Sequence, residues 1–198
     1  MDSLAPSPRE RRDAAAHRQQ VLDAARRLFE TRGLDGVTMD EIAAAAGVGK
    51  GTLYRRFPDK GQLVLALMGS CVAGLDDDLS RLPVSGSALD DLHQVLARIA
   101  SWIEEHAAEL CVVAEQTNVQ RGTVYSTPLY GWMHARVLAC LQRAVAQGET
   151  HIKDPVYTAD VLLAALRVDL YEFQRSQRGY TLAHILAGLR ELVEGLRA

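Results

Sequence analysis

Apolar residues recur with the 3.6-residue period of an α-helix along almost the whole chain, from Ala14 to the C-terminus. In the first such stretch five apolar residues share one face: Val21, Leu22, Ala25, Leu28 and Phe29. No stretch of any length alternates apolar and polar residues as a half-buried strand would. The pattern therefore predicts an all-α fold of about nine helices.

Capping residues and helix breakers divide this pattern into elements. Thr38 and Glu41 form the T-x-x-E capping box of a short second helix, which ends at the glycine-containing turn 47–49. A third short helix is predicted at 50–57 and a longer fourth one at 59–82, on either side of a proline. The remaining helices are predicted at about 87–106, 107–119, 127–148, 154–177 and 181–198.

Charge is distributed unevenly over these elements. Residues 1–60 hold 11 of the 22 Lys and Arg residues but 9 of the 25 Asp and Glu residues. Residues 1–13 contain two prolines and three arginines without an apolar period, and we expect them to form a mobile basic arm. A basic N-terminal part on an acidic body indicates that only the N-terminal part meets a polyanion.

Composition excludes several classes of protein. The 198 residues are 48% hydrophobic and 24% charged, as in globular proteins, and no apolar run approaches the ~18 residues of a membrane span. We expect a cytoplasmic protein without a membrane partner, in which Cys71, Cys111 and Cys140 are reduced, buried thiols. The chain contains no nucleophile elbow, zinc-protease, P-loop or dinucleotide motif, so we expect no enzyme, no cofactor and no metal.

Two short helices joined by a tight turn after a longer helix are typical of a helix-turn-helix. The second helix of such a motif inserts its N-terminal residues into the DNA major groove. Here Leu53 and Phe57 lie four residues apart and are expected to face inward. The polar side chains left for DNA are Lys50, Thr52, Tyr54, Arg55 and Arg56. A helical hairpin with a solvated basic face would have the same composition, so these residues alone leave both interpretations open.

The stretch TMDEIAAAAGVGKGTLYRRFPDKGQL, residues 38–63, resembles the DNA-binding signature of the tetracycline-repressor (TetR) family. The preceding VLDAARRLFETRGLDGVT is similar to that family's first helix, so the resemblance covers about residues 18–65. The chain departs from the signature at Gly49, where Ser or Ala is usual, at Arg56, where His is common, and at Gly61, where Glu is common. The resemblance implies a ligand-responsive transcriptional repressor that binds a palindromic operator in double-stranded DNA as a homodimer.

The resemblance also implies the division of labour along the chain. Residues 14–60 would form the helix-turn-helix DNA-binding domain, and residues 61–198 the ligand-binding and dimerisation domain. Base edges would be contacted by Lys50, Gly51, Thr52 and Arg55. The DNA backbone would be contacted by Thr38, Tyr54, Arg56 and Lys60. The arginines of the arm would reach an adjacent minor groove, unless the arm is only a disordered polar tail.

The last two predicted helices carry more apolar surface than one subunit would cover. Members of the resembled family dimerise through these helices, which form a four-helix bundle with their mates. The predicted interface consists of Val161, Ala165, Val168, Leu182, Ile185, Leu186, Leu189, Leu192 and Val193. Packing within one subunit is the alternative for these residues.

Polar and aromatic residues in the middle helices are unusual for a pure core. The resemblance implies a small-molecule effector inside this body, and the candidate lining residues are Trp102, His106, Gln116, Asn118, Trp132, Arg136 and Arg167. Two other functions stay open at this point: a helical carrier of small molecules, and a protein-interaction adaptor without DNA binding. Salt-dependent binding to duplex DNA would distinguish the regulator from both.

Overall fold

The computed structural model describes the backbone of residues 8–117, 125 and 127–198. Within these residues the structure contains eleven α-helices and no strand, which confirms the predicted all-α fold. The helices are α1 (Pro8–Arg32), α2 (Met39–Ala45), α3 (Lys50–Arg56), α4 (Lys60–Leu67), α5 (Gly69–Arg81), α6 (Ala88–Glu105), α7 (Ala107–Thr117), α8 (Pro128–Ala146), α9 (Pro155–Ala164), α10 (Val168–Ser176) and α11 (Leu182–Glu194).

Three boundaries differ from the sequence prediction. The first helix begins at Pro8 rather than Ala14, so residues 8–13 of the predicted arm are helical. Proline is well tolerated in the first turn, and the arginines and alanines that follow favour a helix. The predicted fourth helix is divided into α4 and α5, and the predicted helix 154–177 into α9 and α10. The break between α9 and α10 contains neither glycine nor proline, and the apolar period continues across it. The sequence pattern therefore does not predict this break.

The chain divides into two compact units, one extending to Met68 and one from Gly69 onward. The sequence placed the corresponding boundary after residue 60. It lies later because α4 packs against α1 and places Leu63, which is fully buried, in the core of the first unit. The core of this unit is shared by all four of its helices, through Val21, Leu22, Ala25, Ile42, Ala43, Leu53 and Leu63 among others.

In the second unit α6 is the central helix. It packs against both α8 and α11, and its residues Leu89, Leu92, Leu96 and Ile99 are fully buried. Glu149, which follows α8, accepts hydrogen bonds from the backbone N–H groups of Ala88 and Leu89, at 2.7 and 3.0 Å. These bonds satisfy amide groups in the first turn of α6 that would otherwise have no partner within the helix.

The packing of α11 on α6 buries three residues of the predicted dimer interface. Ile185, Leu189 and Val193 follow one another at intervals of four residues and are buried within their own subunit. They form the regular apolar seam seen in the sequence, but the partner of that seam is α6 of the same chain. Val161 and Leu192 are about half exposed, and the other four predicted residues are half-buried: Ala165, Val168, Leu182 and Leu186.

Two further expectations concern the thiols and the membrane. All three cysteines are free, and Cys140 is buried as predicted, whereas Cys71 and Cys111 are only half-buried. Burial raises the pKa of the Cys140 thiol above its ordinary value, which lowers its reactivity. Of the helices that the structure describes, none combines the length and the apolar character that crossing a bilayer requires.

Candidate nucleic-acid interface

The helix-turn-helix begins at a complete capping box. The Thr38 hydroxyl accepts a hydrogen bond from the Glu41 N–H at 3.3 Å, and the Glu41 carboxylate accepts from the Thr38 N–H at 2.8 Å. The Thr38 hydroxyl also donates to Glu41, and Arg32 forms an ion pair with this carboxylate at 2.9 Å. The hydrogen bonds from Thr38, aided by Arg32, lower the pKa of Glu41 to about 2. Both donors of Thr38 thus serve Glu41, and a phosphate would have to displace that carboxylate.

The turn between α2 and α3 depends on one glycine. Gly47 has a φ of +66°, in the left-handed region that side chains other than glycine rarely adopt. Its N–H donates to the Ala44 carbonyl at 3.1 Å, and the next N–H, of Val48, donates to the Ala43 carbonyl at 3.0 Å. These bonds end α2 and direct the chain into α3.

Two buried residues anchor α3. Leu53 and Phe57, which the sequence predicts to face inward, are 1% and 4% exposed and belong to the same core as Ile42. The guanidinium of Arg18 on α1 lies 5.8 Å from the centre of the Phe57 ring. Since the anchors are four residues apart, the other side chains of this two-turn helix point away from the core.

The outward residues of α3 form two groups. Lys50, Gly51 and Tyr54 lie on one side, and Thr52, Arg55 and Arg56 lie three and four residues apart on the other. All six are exposed, and a Cβ atom added at Gly51 would meet no atom within 4 Å. The described face of α3 therefore carries three cations and no acidic residue, with an open backbone at Gly51.

Thr52, Arg55 and Arg56 line a cavity of about 220 Å³ together with His17 of α1. His17 was not among the site residues predicted from the sequence. The available signal was the helical register, because His17 lies one turn before the core residue Val21. The cavity combines two guanidinium groups, an imidazole and a hydroxyl, which are groups that bind phosphate oxygens.

Two predicted DNA contacts have partners within the protein. The Lys50 ammonium lies 2.6 Å from Oδ2 of Asp40 on α2. The Lys60 ammonium donates to the Leu34 carbonyl and lies 5.8 Å from the centre of the Phe29 ring. Lys60 is half-buried there and connects the start of α4 to the end of α1, so its predicted phosphate contact competes with this structural role.

In the second unit the predicted effector residues that the structure describes do not form one cluster. Trp102 is 2% exposed and stacks on His106 with ring centres 4.9 Å apart. Trp132 and Arg136 both donate to Asp76 of α5. Arg167 forms an ion pair with Asp169 at 2.7 Å, and the Gln116 side chain and Asn118 lie outside the described residues.

One of these residues retains an unused donor. The indole N–H of Trp102 is buried and makes no hydrogen bond within the described part of the chain. A buried donor without an acceptor is unfavourable and rare in native proteins. Trp102 therefore marks a position where an acceptor atom from outside the chain would be stabilising.

Two cavities lie elsewhere in the second unit. One, of about 440 Å³, lies between α5, α6 and α8, and its polar lining includes Arg136, Arg143, Asp91 and Gln94. The other is an open groove of about 410 Å³ lined by Tyr125, Tyr130, Asp160, Val161 and Ala164. Of the predicted effector residues, Arg136 lines the first cavity. No group of three or more His, Cys, Asp or Glu side chains suited to a metal occurs among the described residues.

Comparison with known proteins identifies similar sequences. The family model for bacterial regulatory proteins of the tetR family matches residues 21–67. An HTH-type transcriptional regulator of Mycobacterium tuberculosis is 30% identical over 132 residues, which cover 66% of this chain and 63% of the relative. An HTH-type transcriptional regulator of Staphylococcus aureus is 43% identical over 53 residues, 27% of this chain and 29% of the relative. The chain thus spans less than two thirds of the length of either relative.

Solved structures share the fold over most of the chain. Thermus thermophilus FadR, a TetR-family transcriptional repressor in complex with lauroyl-CoA, is 21% identical with a TM-score of 0.70, covering 89% of this chain and 93% of that one. A protein of Saccharomonospora viridis solved in complex with choline is 18% identical with a TM-score of 0.62, covering 91% of this chain and 96% of that one. At these identities the likeness concerns the fold.

Proposed function

We infer that this chain, which belongs to the TetR family through its N-terminal domain, is a DNA-binding transcriptional regulator. The observation that carries this proposal is the outward face of α3, where Lys50, Arg55 and Arg56 surround an open backbone at Gly51. The second helix of a helix-turn-helix enters the major groove, and cations on such a helix meet phosphates and guanine edges. A carrier or adaptor that does not bind DNA would not require an exposed, basic face on this helix.

The two sides of α3 have different roles in this proposal. Lys50, Gly51 and Tyr54 face the bases and the adjoining backbone. Thr52, Arg55 and Arg56 hold a phosphate in the cavity that they share with His17. This arrangement shifts Thr52 and Arg55 from the base edges, where the family resemblance places them, toward the backbone.

The regulator binds its operator as a homodimer. On the second unit, α9 exposes Val156, Tyr157 and Val161, α10 exposes Leu170 and Phe173, and α11 exposes Leu192. Large apolar side chains that are exposed on all three of these helices favour a protein partner. A two-fold dimer presents two α3 helices to successive turns of the major groove, which requires a palindromic operator.

A small-molecule effector that binds in the second unit regulates DNA binding. Without the effector, the protein binds its operator and represses transcription. Support comes from the unused indole N–H of Trp102 and from neighbours of the same fold that were solved with lauroyl-CoA and with choline. The effector lowers operator affinity by binding one conformation of the dimer more tightly than the other. Trp102 and Trp132 are the two tryptophans of the chain, so their fluorescence reports on binding in this unit.

The test uses the full chain and a pool of random-sequence duplexes. Binding should enrich a palindrome, and the affinity for it should fall as salt rises. Arg55→Ala should reduce affinity for the enriched and the scrambled duplex alike and lower the salt slope by about one, as loss of one phosphate contact does. Arg81→Ala, an exposed arginine of α5, is the matched control and should change neither. If the wild-type chain enriches no duplex at any salt concentration, the proposal is wrong.

A further inference from the structure

An ion pair connects the two helices of the helix-turn-helix on their exposed side. Asp40 is the second residue of α2 and Lys50 the first of α3, and Lys50 Nζ lies 2.6 Å from Asp40 Oδ2. The two side chains are 49% and 66% exposed. The hydrogen bond that Lys50 donates to Asp40 raises the pKa of Lys50 above its ordinary value, so Lys50 is an ammonium at neutral pH.

Holding the helices together does not explain this pair. Exposed ion pairs contribute little to stability, because solvent screens them and both side chains lose rotamer freedom. The helices are already joined by Ile42 and Leu53, which are 0% and 1% exposed and lie in one core. A carboxylate on a DNA-binding surface also repels phosphates, so Asp40 weakens any contact that depends on charge alone.

The pair does match the edge of one base pair. In the major groove guanine presents two acceptors, O6 and N7, and cytosine presents the N4 amino donor. Lysine is a common partner of guanine, and aspartate accepts from cytosine N4. At an A·T pair thymine places its O4 acceptor where cytosine has the amino group, and this oxygen repels a carboxylate.

We propose that Asp40 and Lys50 together read one G·C base pair in each half-site of the operator. The Lys50 ammonium donates to guanine, and the Asp40 carboxylate accepts from cytosine. This inference rests on the proposed DNA-binding function. It explains why an acidic residue, Asp40, lies on a surface that binds phosphates. Away from a matching pair Asp40 keeps the Lys50 ammonium occupied, so Lys50 adds little to binding of unrelated DNA.

The experiment compares Asp40→Ala and Lys50→Ala with Asp35→Ala, which removes an equal charge from an exposed position between α1 and α2. Each full-length variant is titrated with the duplex that the wild-type chain enriches, and with duplexes in which each conserved G·C pair is changed to A·T in turn. A scrambled duplex is included at two salt concentrations. Thermal unfolding of each variant verifies that the domain is folded.

For the wild-type chain, one G·C to A·T change should reduce affinity roughly 5- to 150-fold, the range for loss of a good base contact. Asp40→Ala and Lys50→Ala should abolish the preference at that same pair. Asp40→Ala should also bind scrambled DNA more tightly and with a steeper salt slope, because the freed lysine reaches phosphates. Asp35→Ala should keep the preference.

The inference is overturned if Asp40→Ala retains every base preference of the wild-type chain, or if Asp40→Ala and Asp35→Ala shift all duplexes equally. In both cases the DNA-binding function stands, because the wild-type chain still distinguishes the enriched duplex from the scrambled one. If the wild-type chain itself shows no preferred duplex, the proposed function fails and this inference fails with it.

Discussion

The two units of this chain use their charged residues differently. In the first unit Lys50 pairs with Asp40, but the outward side of α3 also presents Arg55 at a cavity open to a ligand. In the second unit arginines meet carboxylates from neighbouring helices: Arg143 with Asp91, Arg136 with Asp76, and Arg175 with Glu104. A charged residue therefore indicates an external partner most clearly where no opposite charge of the same chain engages it.

Apolar surface is divided in the opposite way. Among the described residues of the first unit Tyr54 is the one large hydrophobic residue that is exposed, whereas the second unit exposes several on α9 to α11. A basic, largely polar surface suits a polyanion, and an apolar one suits another protein surface. The contrast fits a division between a DNA-binding unit and a dimerising unit.

The largest expected effects concern two leucines of α11, one in the core of the subunit and one on its surface. Leu189 is 3% exposed and Leu192 is 53% exposed. Leu189→Ala should lower the free energy of unfolding by about 2–5 kcal/mol because it leaves a cavity against α6. Leu192→Glu should leave a folded chain and convert dimers to monomers. Urea unfolding at fixed protein concentration and sedimentation velocity measure the two effects.

The opposite result would relocate the interface. A stable Leu189→Ala variant would mean that the α11 seam does not pack on α6. A Leu192→Glu variant that sediments as a dimer would move the dimer contact away from the exposed side of α11.

A smaller effect is expected from the polar network of the second unit. The hydroxyl of the buried Tyr171 donates to Glu104, which Arg175 also contacts at 2.7 Å. Tyr171→Phe should lower the free energy of unfolding by roughly 1.5–3 kcal/mol, as loss of a hydrogen bond to a charged group does. Tyr157→Phe, at an exposed position of α9, should change it little.

This network also predicts a pH dependence. The hydrogen bond from Tyr171 and the charge of Arg175 lower the pKa of Glu104, so its stabilising effect is complete above the ordinary glutamate pKa of about 4.3. It is lost as the pH falls below that value through the lowered pKa. The stability difference between wild type and Tyr171→Phe should therefore shrink on acidification from pH 6 to pH 3. If this stability difference stays constant over the range, the contribution of Tyr171 does not depend on the ionisation of Glu104.

The smallest effect concerns Thr38 at the start of α2. Thr38→Ala removes the cap and should cost about 1 kcal/mol of stability. Because Glu41 engages both donors of Thr38, operator affinity of the folded variant should remain unchanged. Thr181→Ala, which removes the cap of α11, is the matched control in the other unit. A selective loss of DNA affinity in Thr38→Ala would instead support the phosphate contact that the family resemblance implies for Thr38.

Local signals predicted the helix-turn-helix well. The capping box of Thr38 and Glu41, the turn at Gly47 and the inward direction of Leu53 and Phe57 are all present in the structure. Neither His17 nor Asp40 was among the predicted site residues, and Lys60 was assigned only a DNA contact. Asp40 lies ten residues from Lys50 and Lys60 lies 26 from Leu34, so no short-range pattern connects them.

By itself the sequence determined the helical class, most helix ends and the likeness of residues 38–63 to the TetR signature. These features depend on periodicity and on contacts within about four residues, which a linear pattern records. Only the tertiary structure decided that Ile185, Leu189 and Val193 pack on α6, and that Arg136, a predicted effector residue, pairs with Asp76 of α5. An apolar stripe or a charge has the same sequence pattern whatever covers it, and its partner is selected by the packing of distant segments.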